Sequence, residues 1–276
     1  MADKGWCKEA FSEGYSSGAI LGPLNPEDPE ARMRMFEDKR IGGSLSEFFL
    51  SGVAPLLKPH DKVLELGPGR GSWTRALASV ITEGEIHTMD LQDIRPWVQD
   101  LIETAGQRLF IHQVAVNENE YAFLPDRYFD AFFSFGVLCH MDLEIIEDLL
   151  VHLRPKLKKG CVCIAQYSDW KKAVRYCMDP EAYAYNREGY EILEKDYAFE
   201  LDLLRSRRWY QRLRPLWKRY ILRAYPQSKV PPERSFWVKM NQKDMQKLLI
   251  RAGYEVLDID MDYFRRDPVA LFRPLH

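Results

Sequence analysis

VLELGPGRGSW, residues 63–73, combines a short apolar run with three glycines at alternate positions and the start of a helical pattern. Three glycines this close together let the backbone pass near a ligand where any Cβ atom would collide. The N–H groups that begin the following helix suit a carboxylate group. The stretch therefore predicts a turn from a strand to a helix that binds a ligand at the carboxyl end of a parallel sheet.

Strand and helix patterns alternate on the C-terminal side of this turn. Apolar runs that predict strands lie at residues 62–67, 85–90, 108–116, 128–136 and 160–167, with amphipathic segments between them. The runs are apolar on both faces, as in parallel strands that helices cover on both sides. A helix and two more strands follow from residue 241, and we expect the last strand to lie antiparallel at the edge. The predicted fold class is α/β, with a doubly wound, mostly parallel seven-stranded sheet.

The chain divides into a core and two additions. Residues 61–167 and 241–276 form the predicted core, residues 1–60 an N-terminal helical segment, and residues 168–240 a helical insertion after the fifth strand. An insertion at this place lies above the carboxyl edge of the sheet, and this one is rich in aromatic residues. We therefore expect it to act as a substrate lid. The alternative is that these rings form the insertion's own core.

Charge within the insertion is segregated along the sequence. Residues 179–202 contain eight acidic side chains, whereas residues 205–223 contain eight basic ones and no acid. The two stretches either pair with each other, or the basic one faces an anionic substrate, nucleic acid or lipid surface. The sequence leaves both interpretations open.

Composition limits the classes of function. The net charge of −2 indicates no general attraction to nucleic acid or to membranes, so neither is an expected partner. No segment predicts a membrane span, and the N-terminus resembles neither a secretory signal nor a transit peptide. The five scattered cysteines favour a reduced, cytoplasmic location. Cys161 and Cys163 are expected on opposite faces of one strand, which argues against a shared zinc ion.

The motifs around the glycine turn distinguish two classes of nucleotide-binding protein. A nicotinamide fingerprint has the spacing G-x-G-x-x-G, but here the spacing is G-x-G-x-G, Glu65 precedes it, and Asp90 ends the second predicted strand. Together, four features resemble the class I S-adenosylmethionine-dependent methyltransferases. They are E-x-G-x-G-x-G, the acid at the end of the second strand, L-P-x-x-x-F-D at 124–130 and L-x-x-A-G-Y at 249–254. The resemblance is to the seven-stranded, Rossmann-like family, small-molecule type, and it covers residues 61–167 and 241–274.

The resemblance implies that the chain binds S-adenosyl-L-methionine as its cofactor. The three glycines would pack under its methionine part, Glu65 would anchor the loop and reach the amino group, and Asp90 would bind the ribose. Leu91 or Gln92 would flank the adenine, and Asn117 would contact the adenine amine, where many members have an acid. The end of the fourth strand would line the methyl-donor side. The predicted cofactor contacts are Glu65, Gly67, Gly69, Gly71, Asp90, Leu91, Asn117, Phe135 and Gly136.

His140 is the candidate catalytic residue, because a histidine just past the fourth strand faces the acceptor in many small-molecule members. As a general base it would take the proton of a hydroxyl acceptor; the alternative is a structural histidine bonded to backbone or solvent. The expected substrate contacts are Tyr167, Trp170 and Trp237. No metal site is predicted, although Asp142 and Asp169 leave a magnesium site as an alternative.

The sequence therefore predicts a methyltransferase for a small molecule that bears a hydroxyl group. Alternatives are an enzyme acting on RNA or protein, an N- or S-methyltransferase of a metabolite, and a cofactor-binding scaffold without catalysis. No N-P-P-Y-type motif for a planar nitrogen follows the fourth strand, where Ser134, Phe135 and Gly136 stand instead. The acceptor and the oligomeric state cannot be inferred from the sequence.

Overall fold

A computed structural model describes residues 20–22, 27–114, 121–187, 202–203, 213–220 and 240–276. One sheet contains seven strands in the order β3-β2-β1-β4-β5-β7-β6. The strands are β1 Lys62–Leu66, β2 Glu85–Asp90, β3 Leu109–Gln113, β4 Phe129–Ser134, β5 Leu157–Gln166, β6 Tyr254–Asp258 and β7 Val269–Pro274. Strands β1 to β5 are parallel, and β7 lies antiparallel between β5 and β6. The predicted fold class and the antiparallel direction of the last strand are confirmed, but its predicted place at the edge is wrong, because β7 lies between β5 and β6 and β6 forms the edge.

The described part contains eight α-helices with assigned bounds. They are α1 Pro29–Ile41, α2 Leu45–Glu47, α3 Ser72–Val80, α4 Gln99–Ala105, α5 Leu143–Leu153, α6 Trp170–Cys177, α7 Leu213–Tyr220 and α8 Gln242–Arg251. Helix α2 continues into a π-helical segment, Phe48–Val53, and a 3-10 turn, Ala54–Leu56. Residues 180–187 are also helical. None of the described helices is long and apolar enough to cross a membrane.

Alternation along the strands produces two hydrophobic cores, one on each face of the sheet. In β1, Val63 joins the core formed with α2 and α3, whereas Leu64 joins the core formed with α5 and α8. Successive side chains of a strand point to opposite faces, so each parallel strand must be apolar on both. Both cores are required to cover the sheet, which is why the strand runs of the sequence are continuously apolar.

Strand β5 departs from its prediction in both position and side-chain direction. It begins at residue 157 rather than 160, because its pairing with β4 shifts register and Gly160 adopts a φ of +82° within the irregular stretch. The expectation for Cys161 and Cys163 is wrong, since residues two apart on a strand point to the same face. Their Sγ atoms lie 4.0 Å apart in the core with α5 and α8.

The N-terminal segment and the start of the insertion meet at the carboxyl edge of the sheet. The Tyr176 hydroxyl of α6 donates to the Lys39 carbonyl of α1 at 2.5 Å. The N–H of Arg266, in the loop before β7, donates to the Ile41 carbonyl at 3.0 Å. Most of the acidic and basic stretches of the insertion lies outside the described residues, so both interpretations of their charge stay predictions.

Candidate active site

The glycine turn between β1 and α3 has left-handed backbone at all three glycines. Their φ angles are +70° at Gly67, +55° at Gly69 and +83° at Gly71. A Cβ atom at Gly67 would lie 2.1 Å from Cγ2 of Val137, and one at Gly71 would lie 2.4 Å from Cγ1 of Val98. At Gly69, a Cβ atom would meet no other atom within 4 Å. Packing therefore explains two of the glycines, whereas Gly69 borders open space of the kind a ligand occupies.

The carboxyl group of Glu65 lies beneath this turn and is buried. Its Oε2 accepts a hydrogen bond from the Thr74 hydroxyl at 2.7 Å, whereas Oε1 has no hydrogen-bond partner among the described residues. Burial raises the pKa of Glu65 to about 8, and the nearby Asp90 carboxyl acts in the same direction. A buried carboxylate oxygen without a donor is costly, and an amino group of a ligand would match it.

Asp90 ends β2 beside the same turn. Its Oδ2 accepts from the Gly69 N–H at 3.3 Å and its Oδ1 from the Gln92 N–H at 3.0 Å. Burial raises the pKa of Asp90. The next residue, Leu91, exposes 39% of its surface, which leaves an apolar face for a flat ring. Each carboxylate oxygen has further lone pairs, so the residues present fit an adenosine ribose and its base.

The loop after β4, residues 135–140, packs directly on the glycine turn, and we call it the donor loop. Val137 contacts Gly67, and the Gly136 N–H donates to Oε1 of Gln166 at 2.7 Å. The ring of Phe135 lies 4.5 Å from that of Trp73, centroid to centroid. The His140 N–H donates to the Val137 carbonyl at 3.0 Å, in a 3-10 turn. His140 is thus held by backbone bonds at the edge where the cofactor residues converge.

The predicted acceptor contacts differ in where their side chains lie. Tyr167 is fully buried in the core with α5 and α8, and its hydroxyl donates to the Ile259 carbonyl at 2.8 Å. The residue after β5 thus points into the core, and the role of Tyr167 as a substrate contact stays a prediction. Trp170 is buried at the start of α6. Trp237 and Asn117 lie outside the described residues, so their roles stay predictions.

The two aspartates of the magnesium alternative are not grouped into a metal site. Oδ1 of Asp169 accepts from the N–H groups of Lys171 and Lys172 at 2.8 and 3.3 Å and caps α6. Asp142 is exposed at the start of α5. Within the part of the chain that the structure describes, no three His, Cys, Asp or Glu side chains are grouped to hold a metal ion.

Residues that sequence reasoning missed connect the parts of this site. Gln166 ends β5 and binds the donor loop, Val137 packs on Gly67, and Asp267 lies in the loop before β7 and accepts from Gln166 Nε2 at 2.8 Å. The polar Gln166 at the end of an apolar strand was the one available signal. The contact of Val137 and the burial of Asp267 depend on packing between distant segments.

Comparison with known proteins gives a family match within the sequence and similar solved structures. Residues 64–165 match the family described as a methyltransferase domain. No curated protein sequence matches the chain. The PH0226 protein of Pyrococcus horikoshii OT3 superposes with a TM-score of 0.54 at 14% identity, covering 97% of this chain and 99% of that one. Magnesium protoporphyrin IX methyltransferase of Synechocystis PCC 6803, with bound S-adenosylmethionine, gives 0.52 at 13%, covering 100% and 98%.

The sheet order, the glycine turn and the domain match define a Rossmann-like methyltransferase. The chain carries a class I S-adenosylmethionine-dependent methyltransferase domain. It is an enzyme, and S-adenosylmethionine is its cofactor.

The buried carboxyl of Glu65 makes a prediction about stability and pH. Because its pKa is raised to about 8, the folded state holds this proton more tightly than the unfolded state does, so its contribution to stability is lost as pH rises from about 4.5 to about 8. Glu65→Gln, which cannot ionise, should gain stability relative to the wild type between pH 5 and pH 8, by up to about 4 kcal/mol. Denaturant unfolding at both pH values measures this.

The control for this experiment is Glu83→Gln, at an exposed residue before β2. At each pH, the unfolding free energy of Glu65→Gln is compared with that of the wild type. If this difference is the same at pH 5 and pH 8, burial does not hold the Glu65 proton.

Proposed function

We propose that the chain transfers a methyl group from S-adenosylmethionine to the hydroxyl oxygen of a small molecule. The observation that supports a small acceptor is the enclosure of the carboxyl edge of the sheet beside the donor loop. Gln166, Ser168, Asp169 and Trp170 at the end of β5, and Asp267 before β7, are all less than 9% exposed. A loop of RNA or a protein segment needs an open groove, whereas a small metabolite fits an enclosed site.

The cofactor contacts follow from the unmatched groups of the site. Glu65 offers Oε1 to the amino group of the cofactor, and Asp90 offers its remaining lone pairs to the ribose hydroxyls. Gly69 leaves room for the cofactor beside the turn. Gly67 and Gly71 allow the close packing of the turn, Leu91 provides an apolar surface for adenine, and Phe135 and Gly136 line the methyl-donor side. When bound, S-adenosylmethionine supplies an electrophilic methyl group to the acceptor.

His140 is the residue we propose as general base. The donor loop that carries it is fixed by the Val137 contact with Gly67 and by the hydrogen bond from Gly136 to Gln166. A fixed loop keeps the imidazole within reach of an acceptor that is held in line with the methyl group. The imidazole would take the proton that the acceptor hydroxyl loses on methylation, while S-adenosylmethionine would give up its methyl group from sulfur and leave as S-adenosylhomocysteine.

The chemistry of the cysteines supports a reducing compartment, and we propose the cytoplasm. Cys139, Cys161, Cys163 and Cys177, the cysteines of the described residues, are all buried free thiols. Secreted domains that are stabilised by disulfides have their cysteines oxidised in pairs, whereas these four are free thiols.

The test is turnover with defined acceptor classes. The purified chain, supplied with S-adenosylmethionine, is expected to release S-adenosylhomocysteine with a panel of phenols, sugars and other alcohols, and not with RNA or protein. Amine and thiol analogues in the same panel distinguish O- from N- and S-methylation. Turnover with RNA or protein would overturn the small-molecule assignment, and cofactor binding without turnover on any acceptor would favour a scaffold.

A further inference from the structure

A chain of buried polar side chains crosses the carboxyl edge of the sheet beside the donor loop. Gln166, Asp267, Arg266 and Asn186 are each at most 8% exposed. Gln166 accepts from the Gly136 N–H through Oε1 at 2.7 Å and donates through Nε2 to Oδ2 of Asp267 at 2.8 Å. Arg266 donates to that same oxygen from Nε at 2.8 Å and from Nη2 at 2.5 Å. Three donors therefore converge on one oxygen of Asp267.

The second oxygen of this carboxylate is unmatched. Oδ1 of Asp267 is buried and has no hydrogen-bond partner among the described residues. A buried acceptor without a donor costs about 1–3 kcal/mol, and more for a charged group. Such a group calls for a partner, for example a ligand, an ion or an ordered water. The oxygen is therefore available for a donor that the described part of the protein does not supply.

Asp267 lies at the same edge of the sheet as the donor loop, in the loop before β7. Asp267 comes two residues before Val269, the first residue of β7, which pairs with Gln166 at the end of β5. Neighbouring strands lie about 4.8 Å apart, so the start of β7 is about 10 Å from the end of β4. The donor loop follows β4 directly. An acceptor of ordinary metabolite size can thus meet the methyl group at one end and Asp267 at the other.

An aromatic ring of the donor loop is the feature nearest this position that a flat ligand could contact. Phe135 is half-buried, and its ring lies 5.6 Å from that of Phe264, which is buried in the core with α2 and α3. A cavity of about 310 Å³ between α1 and α6 is lined by Tyr176, Arg265 and several charged side chains, but not by Asp267 or Gln166. Aromatic walls are typical of small-molecule sites, so Phe135 favours a flat acceptor.

We propose that Asp267 anchors the acceptor, with Oδ1 accepting a hydrogen bond from a hydroxyl or amine group of an aromatic acceptor. Gln166 and Arg266 are positioning residues that hold the carboxylate by its other oxygen. Gln166 also ties it to the donor loop, so the anchor and the methyl-donor side keep a fixed separation. The inference rests on the proposed function for the meaning of acceptor, but the binding step can be measured without methyl transfer.

The test uses catechol, guaiacol and veratrole, which share one shape and differ in having two, one and no hydroxyl groups. Each is titrated by ligand-observed NMR into the full chain saturated with S-adenosylhomocysteine. Catechol should bind the wild type at least about 10-fold more tightly than veratrole, the difference expected for one hydrogen bond to a charged group. The comparison needs only the wild-type protein, so it stands even where a variant fails to fold.

Asp267→Asn provides the second arm. Gln166 and Arg266 present only donors to the residue, so the amide oxygen must face them and the NH2 group must take the place of Oδ1. The catechol hydroxyl then loses its bond to a charged acceptor and can only accept a weaker bond from the NH2 group, so catechol affinity should fall at least about 10-fold while veratrole affinity does not fall. The matched control is Asp260→Asn, which removes an ion pair with Lys172 elsewhere in the segment before β7.

Several outcomes would overturn the anchor: equal affinities of the three compounds for the wild type, unchanged catechol affinity in Asp267→Asn, or no binding of catechol to the wild type. Each would mean that Oδ1 meets an ordered water or that Asp267 serves only to hold Arg266. A chain that binds catechol as described but methylates no small molecule would refute the proposed function and leave the anchor in place.

Discussion

Gly69→Ala is expected to weaken binding of S-adenosylmethionine by at least about 100-fold, equivalent to about 2.7 kcal/mol, while the protein stays folded. A Cβ atom at this position meets no protein atom within 4 Å, so the substitution disturbs little of the protein's own packing. It does fill space beside Glu65 and Asp90 that we assign to the cofactor. Calorimetric titration with S-adenosylhomocysteine measures the effect without a need for the acceptor.

Backbone strain is the effect that this experiment must separate from steric exclusion. An alanine at a φ of +55° costs about 1–2 kcal/mol of stability. Gly160→Ala is the matched control, because Gly160 has a φ of +82°, also faces open space, and lies at the opposite end of the sheet in β5. Equal loss of cofactor affinity in both variants, or none in Gly69→Ala, would remove Gly69 from the cofactor site.

His140→Ala is expected to lower kcat for a hydroxyl acceptor by about 100- to 10,000-fold, the usual contribution of a general base. Cofactor affinity should persist, because Val137 and Gln166 fix the backbone of the donor loop. Single-turnover measurements with an acceptor from the panel above give both quantities.

His152→Ala is the control for the histidine substitution, because His152 lies exposed on α5 and bonds within its own helix to Asp148. It should retain wild-type turnover. A wild-type rate in His140→Ala would show that the acceptor loses its proton to another group or to solvent. His140 would then have the structural role that the sequence left open.

The glycine turn could be predicted because its requirements are local. Gly67, Gly69 and Gly71 have positive φ angles that few other residues adopt, so the sequence shows the turn directly. Asp90 ends the second strand, at a distance along the chain from the turn that the lengths of α3 and β2 set. Asn117, by contrast, was placed by counting beyond the third strand, which ends at Gln113, and the sequence offers no local feature to confirm it.

The acceptor half could not be predicted to the same depth. Tyr167 was expected at the acceptor, but it is a core residue whose hydroxyl is bonded to the Ile259 carbonyl. The face on which a residue after a strand lies depends on the strand's exact end and on what packs there. Asp267 carried no motif at all, and its contact with Gln166 joins residues 101 positions apart.

The sequence by itself determined the α/β class, the parallel order of the first strands and the glycine turn, because alternation and backbone conformation are properties of neighbouring residues. Tertiary structure alone decided which groups lie beside the donor loop and the glycine turn. Val137 reaches Gly67, Gln166 reaches Gly136, and Asp267 keeps one oxygen unmatched because segments far apart in sequence pack together at one edge of the sheet.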